Sequence, residues 1–528
     1  MIAMKTLRIL ACWVGLSAGY GLPAQVDALA SPYDGETVQA ANNPIDEAVF
    51  GRLRQLGLLP AHLCSDAVFL RRAYLDITGA IPTAGEARSF LEDSRPEKRE
   101  QLIDRLLASD GFAGYWSMKW CDLLRVKSEF PIDLWPQAVQ GYHHWIRASL
   151  QANMPYDRFV RELLTASGSN FNDPQVNFYR AVQSKDPRTL AQSVAQTFMG
   201  VRAEKWPEPR LADMALFFSL VGYKGTAEWK EEIVYFDMAR ASNTWLRTNF
   251  PDGKTALIAP GHDPRQVFAD WLLQPGNRWF ARNLVNRVWY WLIGSGIYPD
   301  PDDICEALPP GNPALLAALE RDLIASHYDL RQLYRQIMRS QTYQLSCLPR
   351  TTDPRAEENF AFHPVRRLEA EVLIDAVNQI TGTTESYYSP IPEPFTYIPE
   401  ELRSVGLADG SISSSFLDLF GRSARDNGLM SERNSRPTAS QSLHLLNSSH
   451  IQRKLEQGPA LRSLLQSNAQ KPREIANELY LSVLSRFPTS DELAAMAAYR
   501  QANAGTGRRV GLDLAWALIN SAEFQCRH

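Results

Sequence analysis

The sequence predicts a mainly α-helical protein of many helices, and three observations carry that expectation. Apolar residues recur at helical spacing: Tyr156, Phe159, Val160, Leu163 and Leu164 fall at i, i+3, i+4, i+7 and i+8, and Leu330, Leu333, Tyr334, Ile337 and Met338 repeat the pattern. Helix-start chemistry recurs too. Thr83 followed by Glu86, and Thr489 followed by Glu492, are capping boxes in which hydroxyl and carboxylate satisfy amides left free at a helix start, and Asn312-Pro313 pairs an N-cap with proline at the first helical position. Alternating apolar and polar runs between tight glycine turns are scarce, so few strands are expected.

Of 528 residues, 45% are hydrophobic and 22% charged, a globular composition. The net charge of −4 offers no bulk basic field, so a nucleic-acid partner is excluded at this level. Lys5 and Arg8 precede an apolar run from Ile9 to Leu22, followed by Ala28-Leu29-Ala30. That is the pattern of a secretory signal peptide over residues 1–30, with cleavage after Ala30 or, alternatively, Ala24. The expected location is periplasmic or extracellular, and no other apolar stretch is long enough to predict a transmembrane segment in the mature chain. Cys12 sits in a loose lipoprotein box, but too few residues precede it for a complete leader.

Beyond the leader the chain divides at two stretches rich in turn formers. Asn243–Asp263 contains Pro251-Asp252-Gly253 and Pro260-Gly261, and Thr381–Ser414 contains Pro390, Pro392, Pro394 and Pro399. The expected blocks are residues 44–242, 263–500 with a Pro-rich loop at 381–414, and a closing C-terminal helix within 501–528. Five cysteines remain after the leader: Cys64, Cys121, Cys305, Cys347 and Cys526. They permit two disulfides and a free thiol, or serve as buried apolar residues. No C-x-x-C or C-x-x-C-H occurs, so covalently attached haem and cysteine-held zinc are not expected.

Few motifs point to chemistry. Gly15-Leu16-Ser17-Ala18-Gly19 matches a nucleophile elbow but falls inside the leader, and no glycine-rich phosphate loop is present. His143 and His144 are adjacent, and His444 and His450 six apart, spacings that place each pair on different faces of a helix and argue against joint metal ligation. Asp300, Asp302 and Asp303 crowd three carboxylates into one loop, suited either to a hard cation or to local hydrogen bonds. Residues 277–303 are the richest segment: Arg282, Asn286 and Trp289 recur at helical spacing beside Arg287, which reads either as a polar network tying helices together or as a ligand pocket. Tyr387, Tyr388, Phe395 and Tyr397 lie among prolines and read as loop packing or as an aromatic platform for sugar rings or a peptide.

Several blocks together resemble a known family. Phe69–Thr83 (FLRRAYLDITGAIPT), Asp104–Arg125 (DRLLASDGFAGYWSMKWCDLLR) and Met154–Leu164 (MPYDRFVRELL) resemble the first of two paired domains of unknown function. The 265–303 segment, SQTYQLS, RRLEAEVLIDAV, FGRSARD, SERNSRPTASQSLHLLN and WALINSAEF resemble the second. These are the planctomycete cytochrome-c-associated PSCyt-two and PSD-one types, abundant in exported planctomycete and verrucomicrobial proteins. The resemblance implies helical architecture, export and a redox or polysaccharide-use context, with no established reaction. Relatives typically carry a C-x-x-C-H-like block where this chain reads Arg202-Ala203-Glu204-Lys205-Trp206-Pro207, and a cysteine-containing block where it reads Gly428-Leu429-Met430-Ser431 before Glu432-Arg433. Both cysteine blocks are missing, which marks a divergent member.

The first functional expectation is an exported helical binding or scaffold protein without cofactor, its partner an envelope protein or a polysaccharide. The alternative is an exported, hydrolase-like enzyme with a pocket in the 277–303 region. A third is a redox-associated protein, with noncovalent haem held by His or Met. The candidate binding residues are Arg282, Asn286, Arg287, Trp289, Asp302, Asp303 and Arg433; no catalytic residue and no metal set is assigned.

Overall fold

The computed structural model describes residues 32–528, apart from 42, 242, 306–307, 468–470 and 503–506. The leader, its Cys12 and the Gly15–Gly19 motif lie outside the described residues. Among the described residues helix takes 53% and strand 6%, the mainly α architecture expected. Both capping boxes form: Thr83 accepts from the Glu86 amide while Glu86 accepts from the Thr83 amide, and Thr489 and Glu492 do the same. Asn312 caps helix Pro313–Ala325 by accepting from the Leu315 amide. The two apolar stripes become the buried faces of helices Tyr156–Leu164 and Leu330–Arg339.

Tyr33–His528 packs as one unit, and its early and late helices interleave. Helix Asp110–Leu123 lies at the centre: Trp116 and Trp120 meet Trp291 of helix Phe280–Ile293 at ring separations of 5.3 and 5.6 Å. Helix Asp66–Thr78 carries two buried arginines that bond distant carbonyls. Arg71 donates to Val483 and Phe524, and Arg72 to Tyr343, Leu345 and His528. Each guanidinium spreads its donors over several carbonyls, so these residues fasten helices that share no local sequence.

Strands are few and short. β1 (Gly168–Ser169), β2 (Val221–Gly225) and β3 (Glu232–Phe236) form an antiparallel sheet in the order β1-β3-β2. β4 (Leu246–Asn249) pairs antiparallel with β5 (Thr255–Ile258). Residues 243–263, expected as a connection, thus contain a hairpin; its four-residue strands are too short to show alternation, and only the Pro251-Asp252-Gly253 turn was visible. Gly253 adopts φ +85° there. β6 (Arg366–Arg367) pairs with β7 (Cys526–Arg527), so the end of the described chain closes onto the second half through a strand as well as through helices Gly507–Ile519 and Ala522–Gln525.

None of the five cysteines is paired; Cys64 and Cys121 are buried, the apolar use considered for them, and the disulfide option is not taken up. Thr381–Ser414 carries a bridge between Tyr388 and Ser413 and a 3-10 turn at Ser404–Gly406. No described helix is long and apolar enough to cross a membrane.

Candidate functional site: a buried ion network

The last turn of helix Asp110–Leu123 places Asp122 against two arginines from the far end of the chain. Arg425 Nε donates to Asp122 at 2.9 Å and Arg433 Nε at 2.6 Å. Arg433 then turns its two Nη groups onto Glu371 of helix Ala370–Thr381, at 2.8 and 3.0 Å. Arg422 lies 3.4 Å from the same carboxylate. A second cluster continues from it: Glu369 receives Lys119 at 2.5 Å and Arg527 at 2.6 Å, and Arg527 reaches Asp76 at 3.0 Å. Burial, the largest single influence, would push the Asp122 and Glu371 carboxyls up, but Arg433 together with Arg425 at Asp122 and with Arg422 at Glu371 outweighs it and holds both below the usual carboxylate range. For Glu369 the same contest, won by Arg527 and Lys119, leaves it far below.

The candidate residues of 277–303 join the edge of this network. Arg287 and Asp302, both 2% exposed at the side chain, pair at 2.9 Å, and Arg287 also donates to the Pro301 carbonyl. Asn286 exchanges two hydrogen bonds with the backbone of Tyr298, fixing the turn after the helix. Trp289 is fully buried and packs edge-on against Phe360. Arg282 points elsewhere and pairs with Glu320 at 2.8 Å, while Asp303 sits at the rim with Lys205 at 2.5 Å. The structure therefore brings Asn286, Arg287, Trp289 and Asp302 into a helix-tying network and leaves Arg282 and Asp303 outside it. Arg433 belongs to the neighbouring cluster. In the 300–303 loop each carboxylate faces a cation: Arg202 lies 3.7 Å from Asp300, beside the Arg287 and Lys205 pairs. Two open depressions of about 430 and 700 Å³ contain none of the candidate residues.

The two segments that depart from the family's cysteine pattern both hold the 300–303 loop, Arg202 and Lys205 facing Asp300 and Asp303 and Met430 N bonding Asp302. Helix Pro187–Val194 runs into a π turn at Ala195–Met199 and ends at Gly200, whose φ of +65° suits glycine and whose added Cβ would lie 2.5 Å from Asn283 Oδ1. Gln196 Nε2 donates to the Asn427 carbonyl at 2.8 Å, across 231 positions. Ile304 N donates to Gly200 O and Met430 N to Asp302 Oδ2, each at 2.7 Å, and Trp291 Nε1 reaches Met430 Sδ at 3.3 Å. Gly428 lets the chain close on helix Asp110–Leu123; a Cβ there would lie 2.6 Å from Leu123 O. The donors at this junction are amides, guanidinium and ammonium groups, a set that fits neither thioether-linked haem nor a thiolate-held metal. Among the described residues no group of three His, Cys, Asp or Glu is placed to hold a metal ion.

Residues 44–204 match the family described as PSCyt2, protein of unknown function (DUF1549), and residues 264–500 match PSD1, protein of unknown function (DUF1553). The chain belongs to the proteins that pair these two domains. No curated protein and no solved structure matches it. Asp122 lies in the PSCyt2 segment and Glu371, Arg425 and Arg433 in the PSD1 segment, so the ion network is the seam between them.

One expectation needs correction. His444 and His450 do not share a helix. The chain breaks at Ser448, which caps helix Ser449–Gln457 directly after helix Ala439–Asn447, and the break turns the rings toward each other at 3.2 Å. His450 Nε2 lies 3.0 Å from Glu385, which Lys454 also contacts at 3.2 Å. With His450 donating to Glu385, its Nδ1 accepts from His444, giving a carboxylate–imidazole–imidazole chain. The four aromatic residues of the Pro-rich loop also separate. Tyr387 turns inward to Leu402 and Ser404, Tyr388 bonds Asp418, and Tyr397 and Phe395 remain exposed.

Arg433→Met is expected to cost about 3–5 kcal/mol in urea unfolding, since it removes three charge-assisted hydrogen bonds and leaves Asp122 to Arg425 and Glu371 to Arg422 alone. Asp303→Ala, which removes only a rim pair, is expected to cost under about 1 kcal/mol. A stable R433M protein would contradict the seam.

Acid sensitivity follows from the histidines. Burial drives His143, whose Nε2 is enclosed without a partner, down to about 3, and drives His363 far below its ordinary value. The unfolded chain binds these protons near pH 6.5 and the folded chain does not, so stability is expected to fall as pH drops from about 6.5 toward 4. In urea titrations at successive pH values, His143→Phe should flatten that slope; an unchanged slope would count against it.

Proposed function

We propose that this PSCyt2–PSD1 protein is an exported binding protein of the cell envelope that works without a resident cofactor and holds a polysaccharide or an envelope protein. The observation that carries the reading is the junction between residues 196–205 and 427–433. Its side chains are committed to one another: Asp302 is shared by Arg287 and the Met430 amide, Gln196 is held by Asn427, and Trp291 covers Met430. A site whose carboxylates are already paired with cations offers little to a substrate, whereas an exposed binding face elsewhere leaves this interior free to act as a rigid support. The leader-like N-terminus supports export, and the low net charge favours a neutral partner over nucleic acid.

The enzyme reading is favoured by one observation, the Glu385–His450–His444 chain. A buried carboxylate that orients one imidazole, which in turn accepts from a second, leaves His444 Nδ1 as an outer proton acceptor, the arrangement of a general base.

Expression with the leader, in a host that matures cytochromes, tests the proposal. The expected product is periplasmic, shortened by about 30 residues as the leader pattern implies, folded, and without a Soret band or stoichiometric metal. A cytosolic full-length product, or haem bound at one per chain, would overturn it. Turnover of a glycan or ester that His444→Gln abolishes would overturn it in favour of the enzyme reading.

A further inference from the structure

An exposed aromatic cluster lies apart from the ion network. Trp135, which leads into helix Pro136–Gln151, has its ring centre 5.3 Å from Phe395 and 6.4 Å from Trp229, with planes inclined at 59° and 85°. Lys230 Nζ lies 5.1 Å from the Trp135 ring and 5.9 Å from that of Trp229, and 3.9 Å from Asp133. Trp229 is 67% and Phe395 53% exposed. Single exposed rings need no explanation, but two exposed rings converging from separate segments on a half-buried third do.

The backbone makes the convergence costlier still. Asp133, Trp135 and Lys230 all adopt left-handed conformations, with φ of +57°, +72° and +62°. A bulky residue such as Trp is rarely found there, and strain of this kind persists where surrounding structure imposes it. That support is present: the Ser128 amide and hydroxyl both bond the buried carboxylate of Asp409, at 2.9 and 2.5 Å, anchoring the loop that carries Trp135. The platform also draws on all parts of the chain. Trp135 lies in the PSCyt2 segment, Phe395 in the PSD1 segment, and Trp229 on the β2–β3 turn in residues 205–263, outside both family matches.

We propose that Trp135, Trp229 and Phe395 form a stacking platform for a polysaccharide of neutral, equatorially substituted pyranose rings, with Lys230 and Asp133 bonding its hydroxyls; the proposal rests on the binding reading above and names its ligand and site. The chemistry selects this occupant. The electron-rich ring faces attract the weakly positive C–H faces of flat sugars, as they attract cations. Lys230 and Asp133 offset each other's charge, so the patch supplies donors and acceptors without the cationic excess that an anionic polymer or membrane surface requires.

The test is titration of the purified full chain with cellohexaose, a neutral β-linked oligosaccharide, and with hexagalacturonate as the charged counterpart, read by tryptophan fluorescence and calorimetry. Cellohexaose is expected to quench emission and bind, and Trp229→Ala and Phe395→Ala each to weaken it about tenfold with the melting temperature unchanged. Trp135→Ala is expected to weaken it further; the other two variants are exposed, so they keep the test valid if W135A fails to fold. Cellohexaose binding that survives W229A and F395A unchanged would overturn the platform and leave the binding reading standing. Binding of hexagalacturonate alone would overturn the neutral-sugar assignment, and a folded protein that binds neither would overturn the platform, with the envelope-protein partner then the remaining form of the binding reading.

Discussion

The bidentate grip of Arg433 on Glu371, with its remaining nitrogen on Asp122, is the interaction on which the rest of the molecule depends. It joins the end of a central PSCyt2 helix to the start of a PSD1 helix through one buried side chain. Each carboxylate is buried, so losing Arg433 would leave Asp122 to Arg425 and Glu371 to the longer Arg422 contact alone. Arg425 and Arg422 reinforce it on one side, and the Glu369–Arg527–Asp76 cluster extends it to the last residues described. Around this ionic seam the aromatic contact of Trp116 and Trp120 with Trp291 supplies the apolar burial, and the ions fix which faces meet.

Such a seam explains why the richest polar segment of the sequence is not an open pocket. Arg287, Asn286 and Asp302 spend their hydrogen-bonding capacity on turns and helix ends, and the loop that carries Met430 closes over them. The positions where the family resemblance leads to cysteines carry Arg202 and Lys205, which face Asp300 and Asp303, and Met430, whose amide bonds Asp302. In this chain the junction serves as internal support, and the exposed chemistry lies at its periphery: the histidine chain beside Glu385 and the aromatic cluster around Trp135.

The helical fold was legible because its signals are local. Capping boxes at Thr83 and Thr489, the N-cap at Asn312 and the stripes at 156–164 and 330–338 depend only on residues a few positions apart, and all appear as read. The hairpin of β4 and β5 was not, since four-residue strands carry too little alternation. Of the site, the Arg287 and Asn286 network was visible as polar residues on an aromatic helix, but the partners were not: Asp122, Glu371 and Arg425 are charged residues whose burial comes only from tertiary contact. Their one sequence signal was position, each inside a block that carried the family resemblance, with Asp122 and Glu371 flanked by apolar neighbours. The His444–His450 contact was misread because the spacing rule assumed one helix, and Ser448, a capping residue between them, marks two.

If the two family segments are welded by this seam, they cannot open separately. Native-state hydrogen exchange measures that directly, by comparing the slowest amides of helices Asp110–Leu123, Phe280–Ile293 and Ala370–Thr381. The account predicts that all three exchange through one shared opening with the free energy of global unfolding. Exchange in two classes, with the PSD1 helices opening while Asp110–Leu123 stays protected, would contradict it.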